Sequence, residues 1–136
     1  MHAPLLAFGF VWMVVATLIG MVLGAKHDTH LETLRQYARD GKLAAYNEAT
    51  EKYRAGATAH GHSFLFAVIL VLVAMIVTKL PFAPVITHSI PYVLMCSTTL
   101  WTVSALRVIR PLMMVADLVF FLTVITVAFG LVMTAL

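Results

Sequence analysis

Apolar runs of about twenty residues alternate with polar stretches of very unequal length along this chain. A helix needs roughly 20 apolar residues to cross the hydrocarbon of a bilayer. Four stretches qualify: residues 4–24, 63–82, 86–106 and 112–136. The expected fold is therefore all-α, an integral membrane four-helix bundle of up-down topology, with one membrane domain over residues 1–136. Pro111 suits the first turn of the fourth helix, where its missing N–H costs nothing. Pro81 and Pro84 mark a short second connection. Pro91 falls about one turn into the third span, where it either starts the regular helix or kinks it.

The long connection, 25–62, reads as a two-helix extramembrane cap between the first and second spans. Thr29 and Glu32 have the spacing of a capping box, and Gly41 suits the end of the first cap helix. The second is expected from about Lys42 to Ala55, stopping at Gly56. Leu31, Leu34, Leu43, Tyr46 and Tyr53 supply an apolar stripe, and charged residues fill the other faces.

Composition fits this pattern. The chain is 62% hydrophobic and 11% charged, with a mean hydropathy of +0.97, whereas soluble domains average about 25% charged. The single cysteine, Cys96, excludes an internal disulfide or a CxxC redox pair. The net charge of +3 carries no nucleic-acid signature. Eight of the nine Lys and Arg residues lie in the first and third connections, and Lys79 alone lies in the second. The positive-inside rule then places the long connection in the cytoplasm and both termini outside, as in a prokaryotic inner-membrane protein. The first apolar run lacks a basic n-region and is too long for a signal-peptide core, so it reads as a retained span.

Candidate chemistry gathers at one membrane surface. His27 and His30 follow the first span, His60 and His62 precede the second, and a helical hairpin brings these ends together. Arg107, Arg110 and Asp117 lie around the third connection on the same side. Two imidazoles from neighbouring helices suit the axial positions of a b-type haem, with arginines for its propionates. His27 and His62 are the expected axial pair, with Arg107 and Arg110 at the propionates. Three or all four of His27, His30, His60 and His62 with a carboxylate would instead suit a transition metal ion, Zn²⁺, Cu²⁺ or non-haem Fe²⁺. His60 and His62 stand about 200° apart on a continuous helix, so both reach one site only if the helix begins there, with Gly61 giving freedom to the backbone. The stretch Ala59-His60-Gly61-His62-Ser63-Phe64-Leu65 resembles the histidine-bearing helix entries of haem-copper oxidase subunit I relatives. The likeness covers seven residues and transfers no residue role.

Asp117 is the one acidic residue inside a span. A carboxylate there is costly, so it is expected to face protein, with Arg110, Arg107 or a cluster histidine as partner. In the haem or metal reading it accepts a hydrogen bond from a ligand histidine and so orients the ring. His2 and His88 lie near the opposite surface. The leading expectation is a haem- or metal-binding redox or electron-transfer subunit, with quinone as a possible electron partner. The alternatives are a non-catalytic accessory subunit of a larger membrane complex and a small transporter working through Asp117. So apolar a chain also favours a homo-oligomer or a larger assembly in the lipid bilayer.

Overall fold

The computed structural model describes all 136 residues. It is 90% helical, without strands. The helices are α1 (Ala3–Ala25), α2 (His27–Arg39), α3 (Leu43–Ile76, prolonged by the 3-10 turn Val77–Lys79), α4 (Pro84–Leu106) and α5 (Arg110–Ala135). Four of them, α1, α3, α4 and α5, are long and apolar enough to cross a membrane, which marks an integral membrane protein.

The expected second cap helix does not exist as a separate element. Gly56 lies inside α3, which runs unbroken from the cap into the span. A helical glycine costs only about 1 kcal/mol relative to alanine, too little to stop a helix that packs well. Here glycine permits close approach: a Cβ on Gly56 would lie 2.8 Å from Leu23 Cδ2 of α1. With its 3-10 turn α3 covers 37 residues, or about 55 Å at 1.5 Å per residue. The hydrocarbon core is about 30 Å thick, so the N-terminal part of α3 projects as a stalk with α2 packed on it.

The capping box is also absent. α2 starts at His27, its N-cap is Lys26 with no side-chain cap, and Thr29 sits in the first turn. Lys26 is itself in the right-handed helical region and its N–H donates to the Leu23 and Gly24 carbonyls, so α2 follows α1 after one residue. The end of α2 is as expected. Gly41 adopts φ 68°. The Lys42 N–H donates to the Tyr37 carbonyl at 2.9 Å and the Gly41 N–H to that of Ala38 at 3.3 Å, the Schellman pattern. The α4–α5 turn repeats this wrap with the wrong residue type. Val108 has φ 59°, while Ile109 N–H donates to Ser104 at 2.8 Å and Val108 N–H to Ala105 at 3.1 Å. α4 itself begins at Pro84 and carries Pro91 in its interior.

α1 and α3 pack most extensively. His2 N–H donates to the Ala74 carbonyl at 2.7 Å, Gly9 lies against Ala67 and Val71, and Gly20 against His60. The pairs run in opposite order along the two helices, and small residues let the backbones approach. Only 17% of the apolar window of α1 or α5 is buried, against 39% for α3 and 50% for α4, so α3 and α4 are central and the other two flank them. The Trp12 indole donates to Thr102 Oγ1 at 3.3 Å, and Thr102 shares a 2.7 Å hydrogen bond with Ser63 Oγ. That polar knot ties α1, α4 and α3 together. Below it Phe66 stacks on Phe120 at 4.1 Å and meets Trp101 edge-on at 5.3 Å, bringing α5 into the core.

Candidate functional site

The continuity of α3 decides where each histidine goes. His27, in the first turn of α2, shares a 2.7 Å hydrogen bond between its Nδ1 and the Tyr53 hydroxyl. His30 lies one turn on, as its spacing predicts, and stacks on the Tyr53 ring at 4.3 Å. One tyrosine is thus bracketed by two imidazoles where the stalk meets α1. His60 points elsewhere. Its Nδ1–H donates to the Ala16 carbonyl of α1 at 2.8 Å, and its ring lies across Gly20, where a Cβ would approach Cε1 to 2.6 Å. His62 turns to the far side of α3, donating from Nδ1 to the Thr58 carbonyl at 3.2 Å and stacking on Trp101 of α4 at 4.9 Å.

The convergence expected of these four side chains does not occur. His60-Gly61-His62 is mid-helix and not a helix entry, so the 200° divergence applies in full. Tyr53, which holds His27, and His62 are nine residues apart on one helix. That places them about 13.5 Å apart along the axis and on opposite faces. An iron or metal ion bonds each nitrogen at about 2 Å, so His27 and His62 of one chain do not fit a shared haem or ion. No three His, Cys, Asp or Glu side chains in the chain form a metal-holding group.

Asp117 departs from expectation as well. It is exposed on α5, in a shallow depression formed with Met114, Val115, Leu118 and Phe121, and none of the three ion pairs includes it. Arg110 shares its helical face but turns away: its Nη2 donates to Glu51 Oε1 of the stalk at 2.8 Å. Arg107 caps the C-terminus of α4, exposed and outside every ion pair.

The Arg110–Glu51 contact opens onto a groove that sequence reasoning missed. Glu51, Arg54, Ala55 and Thr58 of α3 face Ala105, Val108, Arg110 and Met113 across it. The signal was present, since 51, 54, 55 and 58 have the i, i+3, i+4, i+7 spacing of one helix face. A cap helix that stops at Gly56 cuts this face between Ala55 and Thr58 and hides it. At the opposite surface His2 and His88 line one pocket with Thr78 and Thr87. No family model matches this chain, and neither a curated protein nor a solved structure matches it.

Proposed function

We propose that the chain is a non-catalytic structural subunit of a larger membrane assembly, and that the outer face of α5 packs against a neighbouring protein. One observation carries this: Asp117 stands exposed and unpaired amid Met114, Leu118 and Phe121 on an apolar helix. An acidic residue costs about 2.5–3.5 kcal/mol at the centre of a spanning helix and less toward its ends; Asp117, seven residues into α5, bears part of that. No ion pair within the chain offsets that cost, because its nearest cation along the helix, Arg110, is directed toward Glu51 of the stalk and away from Asp117. A neighbour that hydrogen-bonds the carboxyl removes the penalty and covers the apolar stripe.

In this reading the spans form an up-down bundle, with the stalk and eight of nine basic residues on the cytoplasmic side. The stalk then offers the assembly a second, water-exposed contact. The histidines serve packing: His60 rides on α1, His62 on Trp101, and His27 and His30 clasp Tyr53.

The test is the size of the full chain extracted in mild detergent from the membrane that made it. Wild type is expected in a complex larger than one copy. Asp117→Leu is expected to release a monomer that keeps its helical circular dichroism. A wild-type chain that runs as a lone monomer, with Asp117→Leu unchanged in size, overturns the proposal.

A further inference from the structure

The groove between the stalk and the α4–α5 turn combines a cationic rim with an apolar floor. Arg54 and Arg110 stand on its two walls, and Ala55, Ala105, Val108 and Met113 form its lining together with Thr58. Arg107 is next to Val108 in sequence. Against the guanidiniums of Arg54 and Arg110 the groove holds one carboxylate, Glu51, which occupies a single nitrogen, Nη2 of Arg110. A guanidinium carries five N–H donors in a planar fork that matches phosphate oxygens. Arg110 therefore keeps free donors while paired, and Arg54 has no ion pair at all.

Position adds to chemistry. The groove lies where α4 ends and α5 begins, the depth at which a spanning helix leaves hydrocarbon for the headgroup layer. It is also on the surface that carries most of the chain's basic residues. Basic pockets between helices at such a surface bind anionic headgroups. A soluble anion needs only the rim, whereas a phospholipid also uses the apolar lining for the start of its acyl chains.

We infer that this groove is a binding site for a phosphate group, that of an anionic phospholipid, held between Arg54 and Arg110. The site is independent of the outer face of α5. Glu51 acts there as a competing internal anion that keeps Arg110 in place when the groove is empty.

The test uses the purified full chain in detergent, with binding read by native mass spectrometry and by thermal shift. The probes are phosphatidylglycerol, phosphatidylcholine with the same acyl chains, and inorganic phosphate. Phosphatidylglycerol is expected to bind at one saturable site in preference to phosphatidylcholine. Arg54→Gln and Arg110→Gln should each weaken it about fivefold or more, the factor that one basic group near an anionic surface is worth. Glu51→Gln should tighten it, because the competitor is removed and no new charge is added. Lys52→Gln, on the neighbouring face of α3, should change nothing. Competition by inorganic phosphate supports the rim as the recognition element, and lipid binding well above phosphate binding supports the lining. Equal binding of the two lipids, or equal losses for Lys52→Gln and Arg54→Gln, overturns the site in favour of diffuse surface charge. Arg54 is exposed and makes no side-chain ion pair, so the result of Arg54→Gln does not depend on whether Arg110→Gln folds.

Discussion

Arg110 reaches Glu51, fifty-nine positions earlier in the chain, at 2.8 Å, and leaves Asp117 of its own helix unpaired. Both partners are well exposed, with 71% and 59% of their side-chain surface accessible. An exposed ion pair contributes about 0.2–1 kcal/mol. Glu51→Ala is therefore expected to lower stability by no more than about 1 kcal/mol. A double-mutant cycle with Arg110→Ala should show a coupling that shrinks in high salt. A coupling of several kcal/mol would mean that the pair is shielded from water.

Val108 should be replaceable with profit. An L-residue in the left-handed region costs about 1–2 kcal/mol, more when β-branched. Glycine removes that strain and loses about 0.5–1 kcal/mol through the greater freedom of its unfolded chain. Val108→Gly is thus expected to raise thermal stability by about 1 kcal/mol. Gly41→Val, at the equivalent position after α2, should lower it by a similar amount. A destabilised Val108→Gly would show that contacts of the valine side chain in the groove outweigh the backbone strain.

Two threonines one turn apart on α4 should respond with opposite signs to the same change. Thr102 joins Trp12 and Ser63, so Thr102→Val strands two partners and should cost about 1–2 kcal/mol. Thr98 is fully buried and its hydroxyl has no hydrogen-bond partner. Thr98→Val keeps the shape, removes an unsatisfied group and should stabilise by about 1 kcal/mol. Unfolding midpoints of the two variants check the pair. A destabilising Thr98→Val would point to an internal water on that hydroxyl.

The spans were legible in the sequence to within about two residues at most ends because apolar length is a direct demand of the bilayer. The exception is α3, whose start at Leu43 lies twenty residues before the expected 63. Gly56 accounts for that. A lone glycine has the same local signature whether it ends a helix or admits a neighbour such as Leu23. Once the helix is taken to stop there, the phase between Tyr53, His60 and His62 is lost, and with it the knowledge that they face different ways. Thr29 and Glu32 misled for a related reason. Their spacing is real, but Lys26 needs no cap when its backbone already continues the turn of α1. The Arg110–Glu51 pair and the groove beside it depend on that same continuity.

Gly20 and Gly56 make a second contrast. A Cβ at Gly20 would press on the His60 ring, with three ring atoms within 3.0 Å, and displace it from the Ala16 carbonyl. Gly20→Ala is expected to cost about 1–3 kcal/mol, as overpacking does. Gly56→Ala meets the flexible end of Leu23 and should cost less. The diagnostic is Gly20→Ala combined with His60→Ala. The double variant should be less destabilised than the sum of the singles, because the alanine fills space the ring has left.

His27 and His62 should behave as strangers. His27→Ala and Tyr53→Phe each remove the same exposed hydrogen bond, worth about 0.5–1.5 kcal/mol, so the double variant should be little worse than either single one. His62→Ala loses the stack on Trp101 instead. Its effect should add to that of His27→Ala within about 0.5 kcal/mol, as expected for sites without shared partners. Thermal unfolding measures this directly, repeated with haem and with Zn²⁺. A ligand held by both residues would stabilise wild type by a term that grows with its concentration and vanishes in either single variant. Additive losses with no ligand-dependent stabilisation confirm separate packing roles. A shared, ligand-dependent loss would require the two histidines to meet across two copies of the chain, since one continuous α3 holds them apart.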